Sequence, residues 1–373
     1  AVVSTQSTWG TAAWPRIHSH HIAMPVIELR LFPFAFPIGY FLGFLAVILF
    51  LHHSKSLEDI LHSTISNLFY RDPGAAPHGL TNINAIHRSY AMKAVSNPNK
   101  VVHKNHFYSY YRAAMPTGGN FYVKRFHWEN QTFTLQRRRK FCKEIKTLGR
   151  LDHPNIMPPL AYVLTPPAPL IMHECPPAGT LFDLLHANKN GVASWDGRHS
   201  IAVGLAKGLA FLHGRKTPLI LHNFSSKTVQ MQSPWEPRIA DIELCRVMAP
   251  SKTIASLSML GDSAGNNPPE YGRTFRVTAS GNVYSLGVIM LELVTGKPAV
   301  NEGMELPAWV ANMEVGGIER VMDLRLPAGA SPEILYQMTW MLKLALSCVR
   351  VCPEERPVAR EVVDMLLIAG PQR

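Results

Sequence analysis

Few residues in this chain have types and spacings able to do chemistry on their own: five cysteines, one run of four cations, and one asparagine in an acceptor sequon. The cysteines are Cys142, Cys175, Cys245, Cys348 and Cys352. None forms a C-x-x-C pair, and Cys348 and Cys352 have no histidine nearby, so the spacing supports neither a zinc site nor a disulfide framework. Their odd number fits reduced, mostly buried thiols in a cytosolic domain, where the Asn130-Gln131-Thr132 sequon would go unused. Arg137-Arg138-Arg139-Lys140 is the densest charge run. It is expected in a loop just before an amphipathic helix. A solvated loop is its plain reading. Contact with anionic lipid of the cytoplasmic leaflet is its functional one, at up to about 1 kcal/mol per basic residue. Nucleic acid is not indicated, because no aromatic–basic platform or zinc finger accompanies the run.

The elements that must position such groups emerge from composition and pattern. The chain has 373 residues, 47% of them hydrophobic and 17% charged, which excludes a disordered chain and leaves room for a large core. The net charge of +11 is unevenly placed: residues 1–150 hold 18 Lys/Arg against 6 Asp/Glu, and residues 151–373 hold 19 against 20. Within the basic part lies an uncharged run of 21 residues, Leu31 to Leu51, long enough to span ~30 Å of hydrocarbon as a helix. Pro33 and Pro37 are tolerated in membrane helices, and no small-residue cleavage site follows to make it a signal peptide. Residues 1–30 then read as an extracytoplasmic stub, 31–51 as a transmembrane helix, and 52–90 as a juxtamembrane linker. From residue 91 the pattern is globular. Two strands are expected within 107–126 around Pro116-Thr117-Gly118-Gly119, and a helix over 138–150 with Phe141, Ile145 and Leu148 on one face. Ser200 is expected to cap a helix ending at Gly214, and a second helix to run from Asn282 to Gly296 with Pro298 beyond.

Several motifs then fall in one order. Val123-Lys124, Glu144, Ile239-Ala240-Asp241, Pro268-Pro269-Glu270, Val283-Tyr284-Ser285-Leu286-Gly287 and Cys352-Pro353-Glu354-Glu355-Arg356-Pro357 resemble a protein kinase domain. The wording of the segments resembles a plant leucine-rich-repeat receptor-like kinase. The resemblance covers about residues 91–370 and implies an α+β, two-lobed kinase fold: a β-rich N-lobe over 91–175, a helical C-lobe over 176–370, and one transmembrane helix before them. No leucine-rich repeat is present before Leu31. The residues that hold this fold are kept. Glu270 and Arg356 resemble the buried ion pair of the C-lobe, and Leu148, Leu221 and Ile242 stay apolar where the family stacks apolar side chains between the lobes. The aspartate that holds that stack is Asn282 here, an uncharged amide still able to bond backbone groups.

The residues that would do kinase chemistry are largely replaced. His103, Asn105 and Tyr108 stand where the three glycines of the phosphate loop belong, and side chains there restrict close backbone approach. Tyr110 and Tyr122 stand where a small Val and Ala sandwich adenine. In the hinge, His173-Glu174-Cys175-Pro176, the N–H expected to reach adenine falls on Pro176, which has none. The His-Arg-Asp triplet aligns with Leu221-His222-Asn223, so Asn223 holds the place of the catalytic Asp. Ser225 replaces the loop lysine, and Thr228 the metal-binding Asn. An amide cannot take the substrate proton, a loss of roughly 10²–10⁴ in rate. Lys124 and Glu144 match the pair that grips the phosphates, and Asp241 matches the Mg-binding aspartate. Glu243 stands where the family has glycine, adding a negative charge beside them. A structural Lys124–Glu144 ion pair is weighed above Mg-ATP binding.

The expectation is therefore a single-pass plasma-membrane protein with a cytoplasmic kinase-like domain. It would be a pseudokinase acting as allosteric partner or scaffold for another receptor kinase or signalling protein, with Ser251–Gly265 offering hydroxyls to phosphorylate. No cofactor is certain from the sequence; Mg-ATP would be held if nucleotide binding is retained. The alternative is a weakly active Ser/Thr kinase using Lys124, Glu144 and Asp241. A purely structural membrane anchor is the third reading.

Overall fold

The computed structural model describes residues 85–370, apart from 106, 115–118, 128–134, 166–167, 188–193, 248–264, 275, 315–317, 324, 327–330 and 369. The apolar run 31–51 and the hydroxyl-rich segment 251–265, save Gly265, lie outside the described residues. Among those described, no helix is long and apolar enough to cross a membrane.

The first lobe is a five-stranded antiparallel sheet in the order β1-β2-β3-β5-β4. Its strands are β1 (Val101–Lys104), β2 (Tyr108–Ala114), β3 (Asn120–Phe126), β4 (Ala161–Val163) and β5 (Leu170–Glu174). The two-residue period of a strand sends alternate side chains to opposite faces. Register places Tyr110 opposite Lys124, Arg112 opposite Tyr122, and Tyr122 opposite His173. These residues share one face. Tyr111, Ala113, Val123, Leu170 and Met172 share the other, where they pack against Ala91 and Ala94. Those alanines belong to helix α1, Ala85–Val95. The last six residues assigned to a linker, 85–90, are thus helical, and the lobe begins before residue 91. The alanines allow the helix to lie close on the sheet.

Helix α2, Leu135–Leu148, covers the other face through Phe141 and Ile145, which join Phe107, Tyr108, Phe126 and Tyr162 in one cluster. Arg137–Lys140 form its first turns rather than a preceding loop. The apolar positions Phe141, Ile145 and Leu148 nucleate a helix that extends back past the cations.

The second lobe is helical. Its long helices are α3 (Trp195–His213), α4 (Ala279–Thr295), α5 (Leu306–Glu314), α6 (Pro332–Cys348) and α7 (Ala359–Ile368), beside a small hairpin of β6 (Val229–Ser233) and β7 (Glu236–Ile239). Helix α3 starts earlier than expected. Ser194, not Ser200, is the cap, its Oγ accepting from Gly197 N at 3.3 Å. Trp195, Arg198 and His199 extend the buried stripe by more than a turn, so Ser200 lies inside the helix. Helix α4 is buried from Gly281 to Thr295, as an all-round apolar helix must be. Thr278 caps it, and Gly296 ends it at φ 65°, a left-handed conformation natural to glycine.

Candidate functional site

The shared face of β2, β3 and β5 looks onto the segment after β7, Asp241-Ile242-Glu243, and the two sides meet at Lys124. Its Nζ donates to Asp241 Oδ1 at 2.6 Å and also to Glu243 Oε1. The Lys124 side chain is fully buried. Asp241 adopts φ 61°, a left-handed conformation that aspartate tolerates better than most residues. Both its oxygens are used: Tyr110 Oη donates to Oδ1 at 2.8 Å, and Tyr108 Oη donates to Oδ2. The ammonium also lies over the Tyr108 and Tyr110 rings, 4.4 and 4.8 Å from their centroids.

Burial by itself would push the Lys124 amine down, but the Asp241 and Glu243 carboxylates outweigh it and raise its pKa. For Glu243, burial favours the neutral acid, but the charges of Lys124 and His173 overcome it and hold the carboxyl below its usual range. Burial, reinforced by the charge on Asp241, raises both tyrosines well above 10. They remain protonated donors, and the cluster is a cation, two carboxylates and two phenols, all buried. A buried charge cluster of this kind is tolerable only when each member is paired.

The expected Lys124–Glu144 ion pair does not form. Glu144 instead lies 4.0 Å from Arg246 Nε, with a quarter of its side chain exposed. Glu243 carries no exposure and stands where glycine was expected, so it takes the ammonium: attraction is stronger away from water.

The phosphate-loop region is also closed on itself. Asn105 Oδ1 accepts from the N–H groups of Phe107 and Tyr108 at 2.9 and 3.0 Å, and Asn105 N donates to Tyr108 O at 3.0 Å. The backbone donors that would face a phosphate are consumed by a side chain where glycine would have none. Tyr110 and Tyr122, expected at the adenine position, are buried rings with centroids 5.6 Å apart, and the His173 ring lies 6.1 Å from Tyr110. Both His173 ring nitrogens are buried without hydrogen bonds, its Nε2 3.7 Å from Glu243 Oε1. Glu174 turns outward to Arg238 at 2.6 Å, and Pro176 is buried. A cleft of about 350 Å³ remains beside these rings, lined by Tyr108, Tyr110 and Asp241 together with Arg112, Phe182 and Lys227.

Asn223 is buried. Thr228 Oγ1 bonds back into its own loop, to Ser225 O at 3.1 Å and Asn223 O at 3.3 Å, and accepts from Ser225 N at 3.1 Å. Asn282 straps this loop, accepting from Leu221 N and donating to Leu221 O, both at 2.7 Å. Ser226 Oγ donates to buried Glu292 at 2.9 Å. Leu148, Leu221 and Ile242 share one core cluster. Arg356 meets Glu270 through two bonds of 2.7 and 2.8 Å. Of the cysteines, only Cys348 is fully buried, and Cys352 is exposed.

The sequence placed Asn105 in the phosphate loop and His173 in the hinge, but it did not show the Asn105 side chain capping the loop amides, His173 beside Glu243, or the Tyr108–Asp241 bond. Strand alternation carried the signal for two of them: Tyr108 and Tyr110 on β2 and His173 on β5 occupy positions in register with the face of Lys124.

A family described as protein tyrosine and serine/threonine kinase matches residues 111–366. Similar proteins include the leucine-rich repeat receptor-like tyrosine-protein kinase PXC3 of Arabidopsis thaliana. It is 34% identical over 284 residues, covering 74% of this chain and 32% of that protein. The leucine-rich repeat receptor protein kinase MSP1 of Oryza sativa subsp. japonica is 34% identical over 286 residues, covering 74% and 22%. The chain thus spans about a third or less of the length of these relatives. Among solved structures, the pseudokinase domain of BIR2, an immune regulator of the RLK/Pelle family, superposes with a TM-score of 0.65 at 28% identity, covering 75% of this chain and 85% of that one.

Proposed function

The chain belongs to the protein tyrosine and serine/threonine kinase family, and from that premise we propose that it is a receptor-like signalling protein whose kinase domain acts without phosphoryl transfer. The domain works as an allosteric partner or scaffold. The single observation that carries this reading is the Lys124 cluster. The ammonium is held by Asp241 and Glu243, and Asp241 is also held by Tyr108 and Tyr110. The residues do not fit Mg-ATP. The candidate metal ligand has both oxygens bonded to protein donors, the candidate phosphate grip is engaged by carboxylates, and the loop amides are bonded to Asn105.

What the cluster supplies instead is a lobe closure made entirely of protein. In a kinase the nucleotide and its metal bridge the two lobes. Here Lys124 from the sheet and Asp241 from the segment beneath it make that bridge directly, while Asn282 and the Glu270–Arg356 pair hold the C-lobe loops. A surface fixed in this way is suited to docking another receptor kinase, whose activity would be set by contact. The similarity to plant receptor kinases, together with the uncharged run 31–51, supports placing the domain on the cytoplasmic side of the plasma membrane behind one span.

A thermal-shift titration of the full chain with Mg-ATP, paired with labelled-phosphate transfer, tests the proposal. A ligand at 100 times its Kd stabilises by about 2.7 kcal/mol. The expected result is no shift at millimolar nucleotide and no label on the protein or on a generic substrate. A shift with labelling that Lys124→Ala abolishes would establish the weakly active kinase in its place.

A further inference from the structure

We propose that the solvent face of helix α2 docks on anionic lipid headgroups and so fixes the orientation of the N-lobe at the membrane. The proposal rests on the reading of residues 31–51 as a membrane span. At 3.6 residues per turn, Arg139, Lys140 and Lys143 fall within an arc of about 100°, opposite the buried stripe of Phe141, Ile145 and Leu148. Arg150, just past the helix end, continues the same side. All four are exposed. The only acidic residue of the helix, Glu144, borders this arc one turn beyond Lys140, and its carboxylate lies 4.0 Å from Arg246 Nε. Among the described residues, none of the four has a carboxylate within ion-pair distance, unlike Arg238, Arg325, Arg350 and Arg360 elsewhere in the molecule.

This face does not serve the helix itself. Arg139 and Lys143 stand four residues apart and Lys140 and Lys143 three apart, the spacings at which like charges on a helix are neighbours. Exposed like charges spaced along one side repel one another. An array that weakens its own helix points to an external anion. Thirty-three residues separate Leu51 from Ala85; a flexible linker of that length would reach about 30 Å. On the reading of 31–51 as a span, such a linker would keep helix α2 within reach of a headgroup layer. An anionic leaflet attracts such a face within a Debye length of about 8 Å at physiological salt. The span supplies proximity, and the face supplies orientation.

The test uses the full chain reconstituted into lipid nanodiscs, either phosphatidylcholine alone or with 30% phosphatidylserine. Brief acetylation followed by mass spectrometry reads the reactivity of Lys140 and Lys143, with the exposed C-lobe residue Lys343 as reference. The expected result is about fivefold or more slower labelling of Lys140 and Lys143 in the anionic disc alone, Lys343 unchanged, with protection lost in 0.5 M salt. Arg139→Gln with Arg150→Gln should remove most of the protection at Lys143, at roughly fivefold per charge lost, while Arg139→Lys with Arg150→Lys should retain it. Equal labelling in both discs, with the chain still co-eluting with the disc, overturns the docking and leaves the span standing. Failure to co-elute overturns the span and the docking with it. Protection given by an added phosphorylated acidic peptide in the neutral disc, with none from phosphatidylserine, overturns the lipid assignment in favour of a protein partner.

Discussion

At the residue scale, the molecule turns on which anion Lys124 meets. Two carboxylates and two phenols enclose an ammonium with no access to water. In a working kinase, removing the equivalent lysine would cost activity. Here Lys124→Met should cost stability, because it leaves Asp241 and Glu243 buried without a counter-charge, a loss of about 3–5 kcal/mol. Denaturant midpoints measure it, and adding Glu243→Leu to the Met variant should recover part of the loss, since an apolar group then replaces the stranded carboxylate. Asn223→Asp restores the family's carboxylate but leaves Tyr110, Tyr122 and the Asn105 turn in place. Labelled-phosphate transfer should stay at background in that variant. Signal above it would mean that one carboxylate was the only missing part.

At the scale of elements, helix α4 is the frame on which the loop of residues 221–228 hangs. Asn282 both accepts from and donates to Leu221. A carboxylate can accept but not donate, so Asn282→Asp should destabilise by about 1–3 kcal/mol even though it restores the family residue. Thermal or chemical unfolding checks the sign. At the far end of α4, Gly296 has φ 65°, and a Cβ there would lie 2.2 Å from Asp323 Oδ2. Gly296→Ala should therefore weaken the α4 terminus twice over, through strain and through displacement of Asp323 from Arg198 and Arg325. A loss above about 1 kcal/mol in the unfolding midpoint is expected. The basic turns of α2 illustrate the same scale: four consecutive cations look like a loop by composition, yet the apolar spacing at Phe141, Ile145 and Leu148 carries the helix back through them.

For the whole molecule, buried titratable groups set a stability plateau. Burial lowers His199, His213 and His222 from 6.5 in the folded state. The unfolded chain therefore binds more protons below that pH, and stability falls as pH drops. Glu243 and Asp323, held low by Lys124 and by arginines respectively, lose their contribution further down, below their ordinary 4.5 and 3.8. On the basic side, Tyr108 and Tyr110 keep their protons in the fold while the unfolded phenols ionise near 10, so stability falls above that pH. Lys124, ordinarily 10.5 and raised here, adds to the same loss. Burial also raises Cys142, Cys245 and Cys348, whose unfolded thiols ionise from their ordinary 9.0, so the basic decline begins with them. Denaturant midpoints should be flat between about pH 7 and 8 and decline on both sides, and His213→Gln should shallow the decline between pH 6.5 and 5.

The two-lobed architecture, the strand pair around Gly118, the ends of α3 and α4 at Gly214 and Gly296, and the positions of Lys124, Asp241, Glu270 and Arg356 were legible in the sequence. Each rests on local chemistry: a turn glycine, an apolar period, or a motif of fixed covalent spacing. The replacements at Asn223, Thr228 and Asn105 were equally plain. Tertiary structure decided what these residues touch. Lys124 and Asp241 are 117 positions apart, and the choice between Glu144 and Glu243 as the second anion depends on depth below the surface, which no one-dimensional pattern encodes. Likewise, three lost glycines foretold a poor phosphate loop, but only the folded turn shows its amides bonded to Asn105. Sequence determines which groups exist and which face of an element they occupy; burial and packing across the lobes select which of them pair, because attraction between charges is decided by distance and by the exclusion of water.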